Sequence, residues 1–305
     1  MTSSWRALGA AAALAAAAAG CAVTPADVSR PAGLVSTTIT TTTPSTTTTT
    51  TAPPAGAVSL TSGSYQGADH FVVTTPRGVW WFKKAGGGFA RLLDPAGRDW
   101  IGYRPGGGGA GEFRGIPNMV NPEGCFHPGL TNAASTASAT PTRVTITTSA
   151  TCRGSWRMTW EITADKATAT VTQTGEGPFW FLYEGTPGGA LDSDDFVMRS
   201  TGQTTSSTES WGRGGGVDLR WAAFADPAAG QALVMIDADG PDGQPDSYDD
   251  LVGQMTVFGF GRSELPNPAF PPAENSHLTG SKTFVVGLIP TAAPTEIPAA
   301  VAALQ

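Results

Sequence analysis

The side chains able to do chemistry gather in three stretches. The densest runs from Trp100 to Gly129 and holds Tyr103, Arg104, Glu112, Arg114, Asn118, Glu123, Cys125 and His127 among glycines and prolines. Glu112 and Arg114 are two apart, so they share a face if the chain there is extended. The guanidinium would then lower the carboxylate's pKa or hold an anionic ligand; the competing reading is a plain internal ion pair. His127, between Phe126 and Pro128, is one of three histidines and sits in a polar cluster. It either serves a site or packs into its loop. In the second stretch, Pro178 to Gly189, a hydrophobic strand delivers Tyr183 and Glu184 to its end, where glycines leave room for a ligand. Trp180 in that strand reads as core. The third stretch, Glu209-Ser210-Trp211, sets a carboxylate beside an aromatic ring.

Carboxylates interleaved with tryptophan and tyrosine are the equipment of sugar sites. Rings stack on pyranose faces, and carboxylates and arginine bind the hydroxyls. A glycoside hydrolase would use two of Glu112, Glu184 and Glu209 as acid and as base or nucleophile, their separation setting the stereochemistry. A polysaccharide lyase would use Arg114 to neutralise a uronate carboxylate, with His127 or Tyr103 taking the proton. Glutamate is the commoner residue in these clusters, so hydrolysis is favoured. Arg114, Tyr103, Trp211, Tyr183 and Asn118 are the expected substrate-binding residues. Two other readings compete: a non-catalytic glycan-binding module using Trp211, Tyr103 and Arg114, and an adhesion or envelope-structural protein with no small ligand.

Other chemistries are poorly supplied. Asp237, Asp239 and Asp242 lie in an oxygen-rich run that could hold Ca2+, but the spacing is not that of an EF-hand, and a solvated hairpin loop fits it better. No other cofactor is expected. His70, His127 and His277 are scattered without zinc spacing, and Gly-x-Ser-x-Gly is absent. The 39 glycines concentrate in Gly86–Gly88, Gly106–Gly109 and Gly214–Gly216. None has the strand-then-helix setting of a phosphate loop, so they read as turns and places of close backbone approach. A net charge of −7 with only 14% charged residues argues against nucleic acid as a partner and against an electrostatic membrane-binding face. Carbohydrate is the expected partner.

The elements that must position these residues are strands. Trp156, Met158, Trp160 and Ile162 alternate with Arg157, Thr159 and Glu161, and Ala167-Ala169-Val171 alternates with threonines. With Ala164-Asp165-Lys166 between them, the two runs read as a hairpin. Further strands are expected at His70–Thr74, Val79–Lys83, Arg143–Thr148, Pro178–Tyr183, Phe196–Ser200, Arg220–Phe224, Ala232–Asp237, Met255–Phe260 and Thr283–Ile289. Helical periodicity is nearly absent. The expected fold is all-β: a single antiparallel β-sandwich or supersandwich over residues 58–289.

The ends carry an address. Arg6 precedes an alanine- and leucine-rich run too short for the about 20 residues of a membrane span, which fits a secretory signal peptide. Residues 22–57 form a threonine- and proline-rich linker that buries too little apolar surface to order. Residues 290–305, rich in alanine and proline, read as a loose tail with at most a short helix at Ala299–Leu304. The sequence Ala18-Ala19-Gly20-Cys21 resembles a bacterial lipobox, departing from it at Ala18, where leucine, valine or isoleucine is usual. The resemblance implies an exported protein, held at the membrane or cell surface through lipid on Cys21 alone. Cys125 and Cys152 are then an even pair in a disulfide-permissive compartment.

Gly111-Glu112-Phe113-Arg114-Gly115-Ile116-Pro117-Asn118, Phe126-His127-Pro128-Gly129 and Tyr183-Glu184-Gly185-Thr186-Pro187-Gly188-Gly189 resemble blocks of secreted bacterial proteins linked to polysaccharide use. More loosely, the chain is similar to β-supersandwich proteins of the galactose-mutarotase-like kind, many of which bind or cleave carbohydrate. That likeness covers architecture, and no residue's role is carried over from it.

Overall fold

The structure, a computed structural model, describes residues 56–105, 114–119, 124–211, 217–251, 253–263 and 276–305. The signal segment, the linker up to residue 55, Cys21, Glu112 and Glu123 lie outside the described residues.

Three antiparallel sheets form the protein. In the first, β1 (Ser59–Tyr65), β2 (Ala68–Thr75), β3 (Gly78–Lys83) and β4 (Gly88–Leu93) pair in chain order. The second has nine strands: β11 (Thr204–Ser206), β10 (Phe196–Arg199), β12 (Trp221–Asp226), β13 (Gln231–Asp237), β16 (Lys282–Ile289), β8 (Ala167–Gln173), β7 (Ser155–Ile162), β6 (Arg143–Thr151) and β5 (Ala133–Thr140). The third sets β14 (Ser247–Asp249), β15 (Thr256–Phe260) and β9 (Phe181–Gly185) side by side.

A short extended segment at 114–119 joins the first sheet to the third. Ile116 bridges Phe89 of β4, while Gly115 bridges Glu184 and Met119 bridges Phe181 of β9. The two small sheets therefore act as one layer stacked on the nine-stranded sheet. Period-two alternation sends Phe89, Phe181 and Tyr183 inward, where they meet Trp160 (4.8 Å), Phe284 (4.2 Å) and Phe224 (5.1 Å) of the large sheet. Each such ring contributes about 1.5–3 kcal/mol by leaving water. The expected β7–β8 hairpin forms, with Trp156, Met158, Trp160 and Ile162 all buried. The all-β sandwich expected from the alternation is the observed architecture.

The tail is a correction. Residues Ile297–Ala302 form a helix, α1, starting two residues before the stretch expected from sequence. Ile297, Val301 and Leu304 are buried with Val285 and Ile289 of β16 and Trp221 of β12. One helical face thereby covers the side of the large sheet turned away from the first layer. This explains why β12 is buried throughout and β13 nearly so.

Candidate functional site

On β9, residues that alternate with the inward Phe181 and Tyr183 point away from the large sheet, and Glu184 is one of them. Two donors converge on one of its oxygens. Asn118 Nδ2 lies 3.3 Å from Glu184 Oε2, and His127 Nε2 lies 3.6 Å from the same atom. The backbone N–H of Gly129 donates to His127 Nδ1 at 2.9 Å. An imidazole nitrogen that accepts carries no proton, so this contact places the proton on Nε2, facing the carboxylate. No donor among the described residues meets Glu184 Oε1. The His127 and Glu184 side chains are only 4% and 7% exposed, so their mutual polarisation is weakly screened.

The supporting elements are local. Asn118 stands on the joining segment, whose Gly115 exchanges both backbone hydrogen bonds with Glu184. His127 follows Cys125, which is bonded to Cys152 at a Cα–Cα distance of 5.6 Å. The expected pair of cysteines thus ties the histidine loop to the turn that follows β6. His127 also donates its backbone N–H to Gly86 O at 2.9 Å. A Cβ on Gly86 would sit 2.4 Å from His127 O, and one on Gly115 would sit 2.6 Å from Pro128 Cδ. Glycine is required at both for the loop to close on the sheet.

The same outward face continues across the first sheet. Tyr103 meets the His127 ring edge-on at 6.3 Å, and Lys83 Nζ lies 5.9 Å from the Tyr103 ring centre. Lys83 is 7% exposed, and burial pushes its ammonium pKa down. Opposite it on β2, His70 is fully buried. Its Nδ1 contacts Ala68 O at 2.9 Å, and burial lowers its pKa, assisted by Lys83. Beyond β15, Arg262 is buried beside Trp180, its guanidinium carbon 5.9 Å from the ring centre. Burial lowers its pKa, against which the Glu184 and then the Asp249 carboxylates act.

Of the sequence candidates, Glu184, His127, Asn118 and Tyr103 come together. Arg114 lies on the joining segment, reaching Thr186 Oγ1 at 3.4 Å and Gln254 O at 3.1 Å. Tyr183 and Trp211 need correction. Tyr183 is fully buried and donates to Trp100 O at 2.6 Å. It alternates with Glu184 and therefore faces the core. Trp211 is also in the core, stacked on Tyr248 at 5.6 Å with Arg199 4.4 Å over its ring. Glu209 is exposed and belongs to another place. Trp211 pairs with Tyr248, Tyr248 with Phe258, and Phe258 with Tyr183. Three strand spacings, about 14 Å, separate the chain at Glu209 from β9. The charge of Glu209 acts on Arg199, and among the described residues no hydrogen bond or ion pair links Glu209 to Glu184.

The aspartate loop is held by local partners. Asp237 Oδ1 accepts from Asp239 N, Asp239 Oδ2 from Thr283 N, and Asp242 Oδ1 from Gln244 N, at 3.0, 2.7 and 3.0 Å. Among the described residues, no three His, Cys, Asp or Glu side chains group as metal ligands. Sequence reasoning missed Arg262, Lys83 and the outward role of His70. Lys83 and His70 were legible only as strand residues, and nothing in the order Phe260-Gly261-Arg262 marks the arginine as buried.

No protein-family model matches the chain, and no curated protein sequence matches it. Among solved structures, it is similar to an α-N-acetylgalactosaminidase from Bifidobacterium bifidum. In a quadruple mutant of that enzyme, the match covers 76% of this chain and 38% of the enzyme, at 14% identity and a TM-score of 0.53. In the complex with GalNAc, coverage is the same, at 15% identity and a TM-score of 0.52. A galactose mutarotase-like protein from Lactobacillus casei matches over 76% of this chain and 100% of its own, at 11% identity and a TM-score of 0.45. The chain thus spans well under half of the glycosidase, and the likeness is one of fold.

Proposed function

We propose that the protein is carbohydrate-active on the outward face of its first layer, with Glu184 as the carboxylate that meets the sugar. One observation carries this reading: Asn118 donates to Glu184 Oε2 and His127 Nε2 faces the same oxygen at 3.6 Å, which leaves Oε1 to accept a proton or hydroxyl from a ligand. A carboxylate oriented by an amide donor and a facing imidazole in a nearly buried setting is equipment for acid–base chemistry. His127 is a positioning residue in this scheme, because its nitrogens face Gly129 N and Glu184. Cleavage of an extracellular polysaccharide by hydrolysis is the finer reading; its second carboxyl would come from Glu112, outside the described residues. The binding-module alternative loses support, since Trp211 and Tyr103 are buried rather than presented as a flat exposed row.

The address completes the proposal: export, a lipid on Cys21 and a threonine-rich tether. The Cys125–Cys152 bond supports it, because such bonds persist in oxidising compartments. The test incubates the protein with neutral, N-acetylgalactosamine-containing and uronate-containing glycans. Reducing ends, unsaturated-uronate absorbance and calorimetric binding are followed together, with Glu184→Gln in parallel. Product lost in the variant establishes an enzyme, and the absorbance separates lyase from hydrolase. Binding without product, weakened in the variant, leaves a glycan-binding protein. Neither product nor binding across the panel would refute the reading.

A further inference from the structure

Beside Glu184 stands a group of donors that the chain does not satisfy. Arg262 is 5% exposed, and its Nη1 has no hydrogen-bond partner. Its bridge partner across the chain is Ser276, 8% exposed, whose Oγ is likewise unpartnered. Trp180, also 8% exposed, sits 5.9 Å from the guanidinium, and its Nε1 is unpartnered as well. No carboxylate comes within ion-pair distance of Arg262 among the described residues; the charges of Glu184 and Asp249 act from further off. A buried guanidinium without a close counter-charge is strongly unfavourable, and buried donors left bare add to the cost. All three groups supply a proton, and two of them can do nothing else. Their complement is a compact group of oxygens bearing negative charge, which the planar fork of an arginine can hold bidentately.

We propose that Arg262, Trp180 and Ser276 form a pocket for the anionic group of an acidic sugar, carboxylate or sulfate, whose ring lies against Glu184. This rests on the carbohydrate reading of the same site and names its substrate class. The anion supplies the counter-charge that Arg262 lacks, and Glu184 Oε1 is left to meet a neutral hydroxyl or ring proton of the same residue. The division of labour is by charge: Arg262 takes the anion and the carboxylate avoids it.

The test measures binding of the whole protein by calorimetry to three matched oligosaccharide series: uronate-containing, 6-O-sulfated and neutral, of equal length. One acidic series should bind at least tenfold more tightly than the neutral one, and which series it is distinguishes carboxylate from sulfate. Trp180→Phe and Ser276→Ala should each reduce that ratio severalfold, and Arg262→Gln should abolish it, with folding checked by circular dichroism. Because Arg262→Gln also removes a buried side chain from the fold, the two milder variants carry the test. Equal affinity for acidic and neutral series, with neutral binding still weakened by Glu184→Gln, overturns the acidic pocket and leaves the carbohydrate reading standing. If no glycan binds, inorganic sulfate becomes the probe. A melting temperature raised by sulfate in the wild type but not in Trp180→Phe supports an anion pocket, and no sulfate effect removes it.

Discussion

Gly129 donates its backbone N–H to Nδ1 of His127, two residues back along the same turn. This contact decides which imidazole nitrogen carries the proton. It predicts the Nε2–H tautomer, readable from the 15N shifts of His127. An Nδ1–H tautomer would remove the donor from Glu184 and undo the positioning role. His127→Ala should weaken turnover or ligand binding severalfold, because it removes the imidazole that faces Glu184 Oε2 at 3.6 Å. Glu209→Gln should leave both unchanged.

Tyr183 and Glu184 are neighbours with opposite destinations. Tyr183→Phe strands the buried Trp100 carbonyl that its hydroxyl satisfies. It should cost about 1–3 kcal/mol of stability while leaving ligand affinity unaltered in the folded protein. Denaturant melts and calorimetry on one variant would separate the two effects. A large affinity loss at unchanged stability would return Tyr183 to the ligand's side.

The Cys125–Cys152 bond closes a separation of 27 residues. By chain-entropy reasoning its removal should cost about 3.5 kcal/mol, or a fall of roughly 10 °C in melting temperature for a domain of this size. Because His127 lies two residues from Cys125, the Cys125→Ser/Cys152→Ser protein should also lose ligand affinity at temperatures where it is still folded. Equal affinity would mean that the bond stabilises the fold without shaping the site.

Asp195 and Asp237 should each lower stability as pH rises from 5 to 8, opposing the gain from His70, whose pKa burial lowers. Burial pushes the Asp195 carboxyl up to about 7, with Asp226, Asp192 and Asp194 adding repulsion. Burial also pushes Asp237 up to about 6, against the pull of Lys282. These folded-state values lie above the unfolded ones, so the native state holds protons that the unfolded chain has released. The stabilisation is present at low pH, is lost progressively as pH climbs towards 7, and levels off above. For Asp195 the ceiling is about 4 kcal/mol. Asp195→Asn should flatten the profile and stabilise the protein at pH 8, as denaturant melts across the range would show.

Much of the architecture was legible because burial on one face writes alternation into the chain. β7 reads as a strand because its large apolar residues fall on every second position. β5 does not, because Ala133–Thr140 is alanine, serine and threonine at a sheet edge, with little to bury on either face. β14 is too short to show a period. The tail was misread although Ile297, Val301 and Leu304 have helical spacing; the alanines and prolines around them hid it. In the site, Glu184 and His127 stood out by type and setting. The direction of Tyr183 did not, since alternation says that neighbours oppose each other without saying which faces inward. The burial of Arg262 depends on what packs over it, which no local pattern records.

The segment at 114–119 has a kinetic consequence. Asn118 and Glu184 lie 66 residues apart in the chain, and they meet only once that segment has stitched β4 to β9. Closing so long a loop is slow and entropically expensive, so the carboxylate should acquire its donors late in refolding. Ligand binding would then report completion of the native topology, lagging behind the recovery of β-sheet signal and of tryptophan burial.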